Sequence, residues 1–246
     1  MRFAAPQTAR WPARLIGALG IAINIVRTLG ALLMLLVPLQ CLARWTESSD
    51  LAEQFRRANV EGTFVILDSR TGEMTGYNQE RASTRFVPAS TFKIANALIG
   101  LTVGAVKDVD ETLEYGGQPQ PVKEWERDMS LREAIAMSNV AIYQTLARRI
   151  GLNQMVRAVE LLDYGNKSIG QAVDQFWLDG PLQVSAIEQV SFLAKLVKHR
   201  LPVSETAQVQ TQEILLKDKG EGWGLWAKSG WQNYPTEGVG WCVGWV

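Results

Sequence analysis

Apolar positions recur at helical spacing in SSDLAEQFRRANVEG (48–62), which predicts a first amphipathic helix closed by a glycine. The pattern then shifts to a β-branched and aromatic run, GTFVILD (62–68). Turn residues SRTGE (69–73) follow, and MTGYN (74–78) can return as the second strand of a hairpin. From 85 to 200 the period is mostly helical. In RFVPASTFKIANALIGL (85–101), Pro88 precedes the first turn, and Phe92, Ile94, Ala95, Leu98, Ile99 and Leu101 give the helix a wide apolar surface, as a buried element requires. SLRE (130–133) and SAIE (185–188) both have the Ser-x-x-Glu form that closes a first helical turn. GGQPQP (116–121) and YGNKSIGQ (164–171) read as loops. Strand patterns return in GWGLWAKSG (222–230) and GVGWCVGWV (238–246). Strands at both ends with helices between them predict an α+β fold, a mixed sheet built from distant segments beside a helical lobe, with a site in the cleft between.

Composition leaves this picture intact. Hydrophobic residues make up 47% of the chain of 246 and charged residues 20%, as in ordinary globular proteins. The 25 basic and 25 acidic side chains balance, which gives no electrostatic reason for a nucleic-acid or anionic-membrane partner. The N-terminus stands apart. Arg2, Arg10, Arg14 and Arg27 come without an acid and precede the apolar run TLGALLMLLVPLQCLA (28–43), so residues 1–43 read as an export signal cut after Ala43. An uncleaved membrane anchor is the alternative, because LIGALGIAINIV (15–26) adds a second apolar stretch. The mature domain would then be 44–246, in which Cys242 is the one cysteine of two that remains, so no internal disulfide can form.

Within the apolar helix stands Lys93, three residues after Ser90, so amine and hydroxyl share one face about a turn apart. Burial disfavours the ammonium form, and a neutral amine there can take the proton of a serine nucleophile. A lysine that snorkels to solvent beside a helix-capping serine is the plainer reading of the same residues. Other hydrolytic chemistries lack their parts. With one histidine, His199 in KHRLP, a Ser-His-Asp triad has no support; zinc ligands are too few, and neither G-x-x-x-x-G-K-[ST] nor G-x-G-x-x-G occurs. Downstream, SNV (138–140) falls between helical stretches, where Ser138 either faces the cleft or caps a helix. KSG (228–230) ends a Trp-rich strand, where Lys228 and Ser229 either meet a substrate carboxylate or simply lead into a turn. The order Ser-x-x-Lys, Ser-x-x, Lys-Ser-Gly is the signature of penicillin-recognising serine enzymes.

PASTFKIANALIGL, WERDMSLREAIAMSNVAIYQ, YGN, FWLDGPLQVSAIEQ, KSGW and GWCVGWV together resemble a class D β-lactamase, an oxacillinase, from about residue 50 onward. That resemblance implies a serine acyl-enzyme on Ser90. It also implies that Lys93 reacts as the free amine with carbon dioxide; the resulting carbamate, hydrogen-bonded by Trp177, would be general base for acylation and deacylation. No other cofactor and no metal is implied. Ser138 would relay a proton to the leaving nitrogen with electrostatic support from Lys228, Ser229 would contact the substrate carboxylate, and backbone N–H groups of Ser90 and Trp231 would hold the oxyanion. Val140, Trp177, Gly230 and Trp231 would complete the substrate site. The implied partner is a small β-lactam in the bacterial periplasm.

The resemblance also implies a further strand and a C-terminal helix beyond Val246, with the strand lying between the N-terminal hairpin and the strand that follows Lys-Ser-Gly. Without it the two parts of the sheet are expected to keep unpaired edges, and the protein to fold poorly or work poorly. A β-lactam sensor that acylates without turnover, a cell-wall transpeptidase and an inactive relic are the rival readings.

Overall fold

A computed structural model describes residues 45–232 and 238–246; the export signal or anchor expected at 1–43 lies outside them. Trp45–Glu47 (β1) leads into helix α1, Ser49–Ala58, whose N-cap Ser48 accepts from the Leu51 N–H at 3.3 Å. The helix ends at Asn59 in the left-handed conformation (φ 52°), not at a glycine. Gly62 serves another purpose, since a Cβ there would lie 2.3 Å from the Phe55 ring. The hairpin forms as the alternation predicts: β2, Phe64–Leu67, runs antiparallel to β3, Met74–Tyr77, with Phe64 opposite Tyr77. β1 adds in parallel on the other side of β3. At three residues it is too short to leave a pattern in the sequence. The brief helix α2, Gln79–Ser83, follows, capped by Asn78.

The lysine-bearing segment is two elements rather than one. Ala89–Phe92 is a 3-10 turn, and the α-helix α3, Lys93–Thr102, starts on the lysine itself. Every residue of α3 from Lys93 to Gly100 is buried. It packs against helices α5 (Val140–Ile150) and α8 (Glu205–Glu213), and Gly100 is what lets α5 approach, because a Cβ there would lie 2.7 Å from Leu146 Cδ1. Helices α4 (Leu131–Ala136), α6 (Leu152–Leu161) and α7 (Ala186–Val197) complete the lobe, and α4 and α7 carry the two capping boxes read from SLRE and SAIE.

At the C-terminal end lie β4 (Leu216–Gly220), β5 (Trp223–Gln232) and β6 (Val239–Trp245), antiparallel in that order. Lys-Ser-Gly falls inside β5 rather than at its end, since pairing with β6 continues to Gln232 opposite Val239. The fold is α+β, with strands drawn from both ends of the chain. They form two three-stranded sheets, β1-β3-β2 and β4-β5-β6, instead of one mixed sheet. Helix α7 packs on both β2 and β6. Among the described residues each of these strands is paired along one edge.

Candidate active site

The 3-10 turn sets Ser90 and Lys93 on one side. Lys93 Nζ lies 2.6 Å from Ser90 Oγ, while the lysine side chain has no solvent exposure. The same amine donates to the Ser138 carbonyl at 3.1 Å and lies 3.4 Å from the Ser138 hydroxyl. Desolvation is the main reason that the Lys93 pKa falls well below the usual lysine range, and the nearby Lys228 charge lowers it further. The Tyr143 ring, itself fully buried, underlies the amine, with its centroid 5.7 Å from Nζ.

Ala89, just before the nucleophile candidate, has φ 49°, and Ser138 has φ 57°. Backbone held in this region by a residue other than glycine is strained, and such strain concentrates at sites where neighbours impose it. The turn bearing Ser90 is anchored by a buried chain of side chains. Thr91 Oγ1 donates to the Pro88 carbonyl at 2.7 Å and accepts from Gln189 Nε2 at 2.8 Å; Tyr164 reaches Gln189 Oε1 at 3.3 Å. Arg85 forks onto Glu188, and Phe86 exchanges both backbone bonds with Val184, which fixes where the chain enters the turn.

β5 crosses this turn at close range. A Cβ on Gly230 would lie 3.0 Å from the Pro88 carbonyl oxygen and 3.2 Å from the Thr91 nitrogen, so any side chain there would need the turn to give by a few tenths of an ångström. Lys228 on the same strand is buried, and its amine donates to the Ser229 carbonyl at 2.8 Å. Burial first, then the charge of Lys217, pushes the Lys228 pKa down to about 8. Ser229 and Trp231 alternate with these buried positions and are exposed. Trp177 is fully buried and stacks on Phe92 at 5.5 Å, and its Nε1 has no hydrogen-bond partner among the described residues.

The family model for the penicillin binding protein transpeptidase domain matches residues 62–246. Beta-lactamase OXA-5 of Pseudomonas aeruginosa is 39% identical over 226 residues, covering 90% of this chain and 85% of that protein. Beta-lactamase OXA-48 of Klebsiella pneumoniae is 38% identical over 202 residues, 82% of this chain and 76% of its own length. The crystal structure of FUS-1 (OXA-85), a class D β-lactamase from Fusobacterium nucleatum subsp. polymorphum, superposes with a TM-score of 0.79 at 42% identity, over 81% of this chain and 84% of that one. The chain belongs to the class D β-lactamases.

Within that family frame, the tertiary structure brings Ser90, Lys93 and Ser138 together around one amine, sets Lys228 close enough for its charge to be felt there, and lays Gly230 against the Ser90 turn. Val140 is the half-buried first residue of α5, next to Ser138. The helix-cap alternative for Ser138 does not hold, because Asn139 is the cap: its Oδ1 accepts from the Ile142 N–H at 3.3 Å. Nor does Lys93 snorkel to solvent. His199 sits at the surface turn after α7 and faces Glu205 at 3.2 Å. Local pattern assigned no role to Gln189, Thr91, Tyr143 or Trp125. Gln and Thr inside helical runs look like ordinary surface residues, and only the fold shows what they bond. The half-buried Trp241, whose Nε1 donates to the Val87 carbonyl at 3.0 Å, carries no local signal of that bond either.

Proposed function

We propose that the protein hydrolyses β-lactam antibiotics through an acyl-enzyme on Ser90, with Lys93 in its N-carboxylated form as the general base. The observation that carries this reading is an amine without solvent exposure 2.6 Å from a serine hydroxyl. Burial keeps that amine neutral, and a neutral amine is both a base toward Ser90 and a nucleophile toward carbon dioxide. A carbamate on Lys93 fits the surroundings, because Trp177 Nε1 is a buried donor without an acceptor among the described residues and a carboxylate oxygen would supply one. Once formed, that group supplies an anionic oxygen base for the serine proton and for the hydrolytic water.

In this reading Ser90 Oγ attacks the ring carbonyl, and the N–H groups of Ser90 and Trp231 receive the oxyanion, donors whose removal typically costs about 3–4 kcal/mol. Ser138 passes a proton to the departing ring nitrogen, and Lys228 lends positive charge. Ser229 binds the substrate carboxylate, Gly230 allows β5 to close on the nucleophile, and Val140 and Trp177 bound the site. The relatives are named β-lactamases, and their reaction is carried to this chain on these residues. The basic and apolar character of residues 1–43 supports export to the periplasm, where such a substrate is met.

Intact mass spectrometry after incubation with a penicillin, with and without bicarbonate, tests the reading. The expected result is a transient adduct on Ser90 whose loss is faster with bicarbonate, and a persistent adduct in Lys93→Ala. A folded protein that forms no adduct overturns it. An adduct that persists at saturating bicarbonate would make the protein a β-lactam sensor instead.

A further inference from the structure

Ser138 holds a backbone conformation that its residue type disfavours, with φ at 57°. Such a residue stays put only where its neighbours over-determine it. Two of the constraints are local: Ser138 N–H donates to the Ile135 carbonyl at 3.2 Å and Asn139 N–H to the Ala134 carbonyl at 2.8 Å, which fixes the exit from α4. Three more come from outside α4 and α5: one runs from Asn139 Nδ2 to Met129 Sδ at 3.4 Å, and the other two end on Trp125, the last residue of the 3-10 turn Lys123–Trp125. The indole Nε1 of Trp125 donates to the Met137 carbonyl at 3.2 Å. The Trp125 carbonyl accepts from Asn139 Nδ2 at 3.1 Å. The residues immediately before and after Ser138 are therefore both tied to Trp125, a residue of another loop. Asn139 is fully buried, and the side chain that reaches Trp125 is the one that caps α5, so the clamp and the helix start are one unit. On the opposite side, Ser138 offers its carbonyl to Lys93 Nζ at 3.1 Å and its hydroxyl at 3.4 Å. Relaxation of the Ser138 backbone to negative φ would move both away from the amine.

We propose that Trp125 is a positioning residue for Ser138, a two-sided clamp made of its indole N–H and its carbonyl that holds the Ser138 hydroxyl toward Lys93. The proposal rests on the reading of Ser90 as the nucleophile toward β-lactams. Trp125 acts through Ser138 and touches no reacting atom. Loosening the clamp therefore slows proton delivery in acylation, which needs the hydroxyl within hydrogen-bond reach, and leaves binding of the uncleaved substrate unchanged.

A double-mutant cycle on the single-turnover acylation rate, followed by stopped flow with a chromogenic cephalosporin, separates this role from others. Trp125→Phe keeps a ring and removes the indole donor. It is expected to slow acylation roughly 3- to 10-fold, the effect of one lost hydrogen bond, with Kd for the non-covalent complex unchanged. In a Ser138→Ala background the same substitution is expected to cost nothing. Asn139→Ser removes the other tie along with the Met129 contact, keeps a capping hydroxyl and should show the same dependence on Ser138; if Trp125→Phe does not fold, this second cycle decides. A Trp125 that served as a substrate contact would raise Kd in both backgrounds, and one that served only folding would lower Tm and slow acylation equally in both; either result overturns the clamp alone. Absence of any adduct on Ser90 in the wild-type protein overturns the functional reading and the clamp with it.

Discussion

A lysine with no solvent exposure at the start of a helix is costly to the fold and useful to the chemistry for the same reason. Lys93→Met keeps the volume and removes the amine, so it should abolish hydrolysis of a chromogenic cephalosporin while raising stability by about 1 kcal/mol, a Tm increase of roughly 2–4 °C by calorimetry. The folded-state pKa values of Lys93 and Lys228 lie below their unfolded values, so the unfolded chain holds more protons in the interval between. For Lys228 that interval runs from about 8 up to roughly 10.4, and its contribution to stability should grow as pH rises across it. Tyr143 and Tyr164, whose pKa values burial pushes up, reverse the slope above about pH 10. If the Lys228 ammonium supports acylation, kcat/KM should fall as pH passes about 8. Added bicarbonate should move that limb upward, because an anion on Lys93 favours the charged form of Lys228. A limb that stays in place on adding bicarbonate would argue against carboxylation.

Among the elements, β5 is the one whose position matters most, because it passes the Ser90 turn so closely that a Cβ on Gly230 would crowd the turn backbone. Gly230→Ala should force β5 and the turn apart, costing about 1–3 kcal/mol by urea denaturation and at least about 10-fold in acylation through misplacement of the nucleophile. Wild-type acylation in that variant would show that the turn yields freely. The turn has reasons not to yield, since Gln189 braces it through Thr91 from the α7 side and Trp241 bonds the Val87 carbonyl from β6. Much at this scale was legible beforehand: the hairpin from its alternation, α4 and α7 from their capping boxes. The division of 85–101 into a 3-10 turn and a helix was not, because both share one apolar period over so few residues. The brevity of β1 and the polar sequence of β4, LKDKG, hid those strands likewise.

In the molecule as a whole, β2 and β6 both rest on α7, and each is paired along one edge among the described residues. On β2, Phe64 is 45% exposed and Ile66 53%, an apolar strand edge of the kind that recruits other chains. Light scattering should therefore show concentration-dependent association, reduced in a Phe64→Lys, Ile66→Lys double variant with little change in Tm; a monodisperse wild type at high concentration would refute this. The sequence alone determined the order of elements, the helix caps and the pairing of Ser90 with Lys93, because these depend on residues within a few turns of one another. Only the tertiary structure decided that the amine has no access to water, that Ser138 is left-handed and held from both flanks by Trp125, that Gly230 is a point of contact, and that the strands form two sheets. Burial and close approach are properties of segments far apart in the chain, and no local pattern of side chains carries them.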